Sequence, residues 1–305
     1  MLKFIIKRLG LAILVALTVS FISFILLFLS GDPAAALAGE GATDEDVHAI
    51  RALYGFDRPV LVQYASWLLN AISGDFGESY YFKLPVAGLL AERLSITMLL
   101  GLCGISFALL TAVPLGVMAA IRPNSLIDRF ALFLSVAGQA LPSFWFGLIL
   151  IVVFAIKLQW LPVSGSGSWQ HFIMPTIVLG YYAMPAIMRL TRAGMLEVLS
   201  SDYIRTARAK GAPEGVVMFK HALRNAIIPV VSLAAVQMGF MLGGSIVVES
   251  IFALHGAGYL AWESISRNDL PTVQALILVF SMFYIVFTFL ADVLNAWLDP
   301  RMRSS

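Results

Sequence analysis

The most informative stretch of the sequence reads Ser201-Asp202-Tyr203-Ile204-Arg205-Thr206-Ala207-Arg208-Ala209-Lys210-Gly211-Ala212-Pro213. Ser201 or Asp202 can cap the start of a helix here, and Gly211 suits the left-handed position just past its end. Pro213 can then begin a second helix. A helix of about two and a half turns is marginal in water, so we expect it to pack against a partner surface. On charge alone, the stretch is equally consistent with a basic loop that only follows the positive-inside rule.

Long apolar runs lie on both sides of this stretch. A bilayer crossing takes about 20 apolar residues, and six runs are candidates: residues 9–29, 95–121, 130–156, 172–188, 226–248 and 273–294. Of the 305 residues, 60% are apolar and only 12% are charged, which excludes an ordinary soluble enzyme and a disordered chain. The sequence therefore predicts an all-α polytopic membrane protein with six transmembrane helices.

The first apolar run has the basic start and the small-residue tail of a cleaved signal peptide. Its length of about 21 residues exceeds the 7–15 residues of a signal core, so we expect a retained helix. We divide the chain into this N-terminal transmembrane helix (residues 1–30), an extracytoplasmic segment (31–94) and a core domain (95–305) with a cytoplasmic loop (189–224). In the outer segment, Thr43 followed by three acidic residues predicts a capped helix start.

The distribution of basic residues predicts the orientation. If the N-terminus is cytoplasmic, 14 of the 20 Lys and Arg residues fall in inner segments, including Arg301 and Arg303. The outer segments hold the other six: Arg51, Arg58, Lys83, Arg93, Lys157 and Arg267. This excess predicts that both termini are cytoplasmic. The net charge of +2 gives no indication of a nucleic-acid partner.

Several motifs taken together resemble one protein family. Residues 202–211, followed by His221-Ala222-Leu223-Arg224-Asn225-Ala226 and Pro229, resemble the coupling loop of ABC-importer permeases of the dipeptide, oligopeptide and nickel group. Further motifs agree with this group: Gly55-Phe56-Asp57-Arg58-Pro59, Gln63-Tyr64, Trp67, Gly74-Asp75-Phe76-Gly77-Glu78-Ser79, Leu141-Pro142-Ser143-Phe144-Trp145, Leu161-Pro162 and Asp269-Leu270-Pro271. The resemblance extends over residues 2–301.

The resemblance implies an importer-type ABC permease fold in the bacterial inner membrane. It implies that the chain forms half of a pore with a second, homologous permease subunit, two ATP-binding subunits and an extracytoplasmic solute-binding protein. The cytoplasmic helix would couple to the ATPase through Asp202, Tyr203, Arg205, Thr206, Ala207, Arg208, Ala209, Lys210 and Gly211. The implied substrates are di- and oligopeptides, with nickel or a nickel chelate as the alternative.

Two positions depart from the family pattern. The general family loop begins with Glu-Ala-Ala six residues before its glycine, and this chain has Arg205, Thr206 and Ala207 there. In the outer segment Glu249-Ser250-Ile251-Phe252-Ala253-Leu254-His255-Gly256-Ala257-Gly258, His255 replaces the usual proline. The first departure removes a glutamate as a contact, and the second concerns the conformation of an outer turn.

Motifs for catalysis are absent from the sequence. It contains no G-x-x-x-x-G-K-[ST] loop and no H-E-x-x-H motif, so we expect no enzyme activity and no cofactor in this chain. ATP and Mg²⁺ would bind to the partner subunits. The single cysteine, Cys103, forms no thiolate metal site. His48, His171 and His255 fall in outer segments, and each is alone in sequence, with no second ligand at i+3 or i+4. His221 is cytoplasmic and matches the family pattern, so we expect no metal site.

Polar residues inside apolar runs are candidates for a translocation path, because their burial in lipid is costly. Gln139 and Ser143 flank Pro142 in the third run, and Gln237 lies in the fifth. Bundle packing is the alternative for each. We expect Asp292 and Asn295 to be interfacial or packing residues and Gly239, Gly243 and Gly244 to permit close helix contact. An autonomous channel or ion-coupled carrier is a competing function, although the span centres lack charged groups; a scaffold without transport is another.

Overall fold

The computed structural model describes residues 2–30, 32–39 and 41–298, and every regular element within them is helical. The α-helices are α1 (Leu2–Ser30), α2 (Pro33–Ala38), α3 (Asp44–Tyr54), α4 (Val60–Ile72), α5 (Val86–Ile121), α6 (Leu126–Ala140), α7 (Ser143–Leu150), α8 (Ile173–Leu199), α9 (Asp202–Ala209), α10 (Glu214–Val216), α11 (Arg224–Ala226), α12 (Ile228–Ile251), α13 (Ala257–Ser266) and α14 (Leu270–Leu298). Two π-helices (Ile151–Lys157 and Val217–Leu223) and a 3-10 helix (Trp169–Phe172) join some of them. The predicted boundary residue Gly31 and the basic residues Arg301 and Arg303 lie outside the described residues.

The predicted transmembrane architecture is confirmed. Among the described residues, five helices are long and apolar enough to cross a membrane: Lys3–Leu26, Val86–Ile121, Trp169–Leu199, Ile228–Ile251 and Leu270–Trp297. A bent pair of helices supplies a sixth crossing if the pair counts as one span. Several of these helices extend beyond the apolar runs of the sequence. The cytoplasmic placement of the termini stays a prediction.

The third span is predicted as one continuous apolar run, but in the structure it consists of two helical segments. α6 and the helical segment after it, Ser143–Lys157, meet at an angle of 105°. The break falls at Leu141, which has extended backbone angles, and at Pro142. Proline lacks an N–H group and disfavours the helical conformation of the residue before it. The span is therefore broken or re-entrant rather than straight.

The fourth span also differs, because it was predicted to end at Met188 and α8 continues to Leu199. Thr191 and Met195 in this extension are fully buried. Further back along α8, a Cβ added at Gly180 would lie 2.6 Å from the Gly104 carbonyl oxygen of α5. The backbones of α5 and α8 thus touch, and small residues at such contacts are typical of helix packing in membranes. The first part of the predicted cytoplasmic loop is therefore helical.

A buried ion pair joins α6 to the extension of α8. Asp128 is 2% exposed and accepts hydrogen bonds from Arg192 Nε at 2.7 Å and Nη2 at 2.8 Å. The Asn124 N–H also donates to this carboxylate at 2.9 Å. A two-pronged arginine–carboxylate pair fixes orientation as well as distance. It holds the start of α6 against α8.

We expect Asp128→Asn to destabilise the folded chain by about 2 kcal/mol, because the Arg192 charge would then lie partly buried without its counter-ion. The apparent melting temperature of the purified chain in detergent measures this effect. Arg129→Gln is the matched control, because Arg129 is the exposed neighbour on the same helix. Equal melting temperatures for the two variants would contradict the assigned role of the pair.

The predicted outer helix start is confirmed at Thr43. Its hydroxyl accepts a hydrogen bond from the Asp46 N–H, and the Asp46 carboxylate accepts one from the Thr43 N–H, which completes a capping box. The Thr43 hydroxyl also donates to the Asp46 carboxylate at 2.7 Å, and this hydrogen bond, together with the one from the Thr43 N–H, lowers the pKa of Asp46. Further along, Tyr64 of α4 hydrogen-bonds to Ser20 of α1 at 2.7 Å. The outer segment is thus attached to the first membrane helix.

Candidate coupling surface and translocation cavity

The short helix predicted at residues 202–210 is present as α9, which ends at Ala209. Ser201 occupies the N-cap position, but its hydroxyl donates to the Val198 carbonyl at 2.6 Å instead of capping the helix. At the other end, Gly211 has a φ of +78°. The Ala212 N–H donates to the Ala207 carbonyl and the Gly211 N–H to the Arg208 carbonyl. This is a Schellman motif, in which the left-handed residue is usually glycine.

One side chain fixes α9 to the membrane helices. Ile204 is fully buried in a cluster with Val117 of α5, Met195 of α8 and Val217 of the second π-helix. Ile204 is not among the predicted coupling residues. The available signal was that Ile204 is the one aliphatic side chain larger than alanine in a polar helix. Because Ile204 shares one buried cluster with residues of these three elements, a displacement of α9 must move the cluster or open it.

The opposite side of α9 is exposed and polar. The exposed predicted residues are Asp202, Tyr203, Arg205, Thr206, Arg208, Ala209 and Lys210, whereas Ala207 is half-buried. Arg208 pairs with Glu214 at 2.8 Å, and this hydrogen bond raises the pKa of Arg208. The Asn225 side-chain N–H donates to the Tyr203 hydroxyl at 2.8 Å. These contacts tie α9 to the segments that follow it and hold the exposed face in one arrangement.

Two exposed apolar residues lie in the segments that follow α9. Val216 and Phe219 are 39% and 68% exposed, and the sequence analysis did not single them out. We call the exposed predicted residues of α9 together with Val216 and Phe219 the coupling surface. A polar, basic face beside an exposed aromatic side chain is suited to protein contact, because such anchors carry much of the energy of an interface.

A cavity of about 850 Å³ lies between membrane helices. It is lined by residues of α1, α7, α8, α12 and α14. The lining is largely apolar and includes two predicted path residues, Ser143 and Gln237, on different helices. The structure thus brings Ser143 and Gln237 together in a space large enough for a small solute.

The third predicted path residue, Gln139, does not line this cavity. It lies exposed near the end of α6, where its side-chain oxygen accepts a hydrogen bond from Arg189 Nη1 at 3.1 Å. Arg189 also donates to the Ser135 hydroxyl at 3.2 Å. Gln139 therefore contributes to the contact between α6 and α8.

The three glycines of α12 fall into two classes. A Cβ at Gly239 would lie 2.8 Å from the Tyr284 ring of α14, which confirms the expected close helix contact. Gly243 and Gly244 have no atom within 4 Å of such a Cβ, and both line the cavity. The expectation of close contact is wrong for these two, because their missing side chains leave space in the cavity instead.

Polar residues near the end of α14 pair with other helices. Asp292 forms an ion pair with Arg8 of α1 at 3.0 Å, and Asn295 hydrogen-bonds to Ser232 of α12. Both are packing residues, which was one of the two expectations. They are separate from the residues that line the cavity.

Two polar contacts join the predicted outer segment and α5 to the segments on either side of α13. The Ser79 hydroxyl and the Tyr80 N–H both donate to the buried Asp269 carboxylate, at 2.6 and 2.8 Å. Burial raises the pKa of Tyr80 to about 12. In the second contact, the Thr97 hydroxyl donates to the fully buried Glu249 at 2.8 Å and accepts from the Ala257 N–H at 2.8 Å. These contacts join motifs that are far apart in the sequence.

The histidines lie in separate places. His171 Nδ1 is within hydrogen-bond distance of Ser168 Oγ at 2.9 Å, and the His255 ring packs edge-on against Tyr259. His48 lies in α3 and His221 in the second π-helix. Among the described residues, no group of three His, Cys, Asp or Glu side chains is arranged to hold a metal ion.

Comparison with known proteins places these features in context. The profile described as "Binding-protein-dependent transport system inner membrane component" matches residues 112–304, and the profile of the corresponding N-terminal part matches residues 1–101. The chain is 41% identical over 304 residues to the glutathione transport system permease protein GsiC of Escherichia coli K12 and of Shigella dysenteriae serotype 1, with 99% of each chain covered.

Solved structures agree with the fold. Two structures of the MetNI methionine ABC transporter in inward-facing conformations match with TM-scores of 0.57 and 0.58, at 17% and 19% identity. Each match covers 69% of this chain and 96% of the other chain. At this identity the likeness concerns the fold alone, and it agrees with an importer-type arrangement of helices.

Proposed function

Because the chain belongs to the family of binding-protein-dependent transport system inner membrane components, we propose that it forms half of the pore of an ABC importer for di- or oligopeptides. The chain is a multi-pass inner-membrane permease subunit. ATP hydrolysis belongs to the partner ATPase subunits, and uptake uses a binding protein. Family membership thus establishes the transport class, and the peptide substrate is the finer proposal.

One observation carries the peptide substrate. The relatives that are 41% identical over nearly the whole chain are named for the transport of glutathione, which is a tripeptide. The cavity supports this choice through its volume of about 850 Å³ and its apolar wall with an amide and a hydroxyl. Gln237 and Ser143 can hydrogen-bond to a peptide backbone, which has both donors and acceptors.

The assembly we propose contains this chain, a second homologous permease subunit, two ATP-binding subunits and an extracytoplasmic solute-binding protein. ATP and Mg²⁺ would bind to the ATP-binding subunits. The coupling surface would contact one of them through Asp202, Tyr203, Arg205, Thr206 and the residues up to Gly211. We keep the proposed division into residues 1–30, 31–94 and 95–305, with both termini in the cytoplasm.

The mechanism we propose is alternating access. Closure of the ATPases moves α9, and Ile204 passes the motion to α5 and α8 through the buried cluster that it shares with Val117 and Met195. The pore then alternates between outward-open and inward-open states that bind the solute with unequal affinity. Ser143 and Gln237 line the path in this proposal. Gln139 stays a proposed path residue, although it lies outside the cavity and hydrogen-bonds to Arg189.

Uptake by a strain that lacks this gene tests the proposed substrate. We expect uptake of labelled glutathione and of a labelled dipeptide to fall at least tenfold and to recover when a plasmid restores the gene. Labelled nickel, measured in the same cells, is the control. A defect in nickel uptake alone would select the nickel alternative, and no defect in any of the three would contradict the peptide proposal.

A further inference from the structure

A second pocket, of about 430 Å³, lies on the extracytoplasmic side. Its walls come from the outer segment, from the end of α1 and from the start of α14. Its volume is in the range of small-molecule sites. None of the predicted path residues lines it, and its lining is more polar than that of the cavity. We call it the outer pocket.

Gln274 lines the outer pocket with an unused hydrogen-bond donor. The residue is only 4% exposed, and its Nε2 atom has no hydrogen-bond partner among the described residues. Buried side-chain amides in folded proteins are nearly always hydrogen-bonded, and this group has two N–H donors. Nε2 itself has almost no accessible surface, so the amide must turn toward the pocket before a ligand oxygen can accept from it.

The charged side chains of the outer pocket indicate which acceptor group the ligand carries. Arg58 and Lys83 line the outer pocket, and neither forms an ion pair with any described residue. Two cations that line the same pocket as an amide group suit a carboxylate, since hydrogen bonds between charged groups are the stronger ones. Glu78 also lines the pocket and can accept from an ammonium group. The ligand class is therefore a small zwitterion.

The loop that carries Glu78 and Lys83 is fixed in place. The Ser79 N–H donates to the Leu84 carbonyl at 2.9 Å and the Lys83 N–H to the Ser79 carbonyl at 3.1 Å. The Ser79 hydroxyl is in turn bound to the buried Asp269. The charged groups are thus set on a closed loop before any ligand arrives, which reduces the entropy lost on binding.

We propose that the outer pocket binds a short peptide by its free carboxylate, through Gln274, Arg58 and Lys83, before the peptide reaches the cavity. Trp67 and Tyr80 on the wall would contact its apolar parts. The peptide class rests on the proposed function, whereas the site and its carboxylate preference rest on the pocket alone. A phospholipid headgroup with an ammonium and a phosphate has the same chemistry, so the test separates the two sources.

The test measures binding of diglycine by calorimetry to the complete membrane complex in phosphatidylcholine nanodiscs, with the binding protein omitted. We expect saturable binding, and at least tenfold weaker binding of glycylglycinamide, which lacks the carboxylate. Gln274→Leu and Arg58→Gln should each weaken diglycine binding at this site at least tenfold. Gln170→Leu and Lys157→Gln are matched controls on exposed outer residues and should bind as the native chain does.

Unchanged affinity in both Gln274→Leu and Arg58→Gln would overturn the proposal. So would weaker binding in Gln237→Leu alone, because the dipeptide would then occupy the cavity. If phosphatidylethanolamine in the nanodiscs abolished diglycine binding, a lipid headgroup would be the occupant, which would also overturn it. Uptake by the gene-deletion strain is a separate readout, so a failure of the outer pocket leaves the proposed function standing.

Discussion

Gly211→Val is expected to lower substrate uptake at least tenfold while the chain still inserts into the membrane and its partner subunits still hydrolyse ATP. Gly211 has a φ of +78°, a conformation that costs a residue with a Cβ roughly 1–2 kcal/mol and is least accessible to β-branched residues. Valine would break the Schellman motif and tilt α9 about its buried anchor, Ile204. The coupling surface would then be misaligned with the ATPase.

Two matched variants separate the effect of the left-handed backbone conformation at Gly211 from the effect of the added valine side chain. Gly211→Asn should keep most of the uptake, because asparagine tolerates the left-handed conformation. Gly215→Val adds the same side chain four positions later, at a glycine without a positive φ and without an atom within 4 Å of the added Cβ. It should transport normally. Uptake in cells and ATP hydrolysis in membrane vesicles are the measurements, and normal uptake by Gly211→Val would contradict the coupling assignment.

Local signals in the sequence predicted some helix ends, although not the end of α8. The start of α3 at Thr43 and the left-handed turn at Gly211 both depend on residues within one helical turn, so the pattern suffices. Apolar runs predicted the spans for the same reason. The break at Pro142 was the exception, because a proline in a span can be tolerated or can bend it, and neighbouring helices decide between the two.

The sequence did not predict contacts between distant residues. Asp128 and Arg192 are 64 positions apart, and the arginine was read only as an inner basic residue. The burial of Ile204 likewise depends on three other elements. Gln139 does not line the cavity with Ser143, and it hydrogen-bonds to Arg189, 50 positions away. The packing of the helices determines such contacts, and local periodicity carries no information about it.

One such contact between distant residues explains the two glycines, Gly256 and Gly258, that follow α12. Glu249 is fully buried and accepts hydrogen bonds from the Thr97 hydroxyl and from the Tyr259 N–H, at 2.8 and 2.9 Å. The turn that follows α12 passes directly over this carboxylate at Gly256 and Gly258. The spacing of the two glycines thus reflects the carboxylate beneath them, whereas the replacement of proline by His255 leaves this contact in place.

Gly256→Ala is expected to destabilise the folded chain by about 3 kcal/mol, at the upper end of the usual cost of overpacking. The added Cβ would lie 2.6 Å from Thr97 Oγ1 and against Glu249 Oε2, so it must displace a buried hydrogen-bonded carboxylate that has no room to move. Gly258→Ala should cost less, because its Cβ would meet Glu249 at 3.0 Å. The apparent melting temperature in detergent measures both.

Gly88→Ala is the control at the outer end of α5, where an added Cβ has no atom within 4 Å. It should leave the melting temperature unchanged or raise it, because alanine is the better helix former. A double-mutant cycle of Gly256→Ala with Glu249→Ala then tests the cause. If the clash with the carboxylate is responsible, the double variant should be destabilised by less than the sum of the two single-variant destabilisations, since residues in contact are not independent. Additive effects, or a Gly256→Ala variant as stable as Gly88→Ala, would show that the buried carboxylate does not determine the glycine at this position.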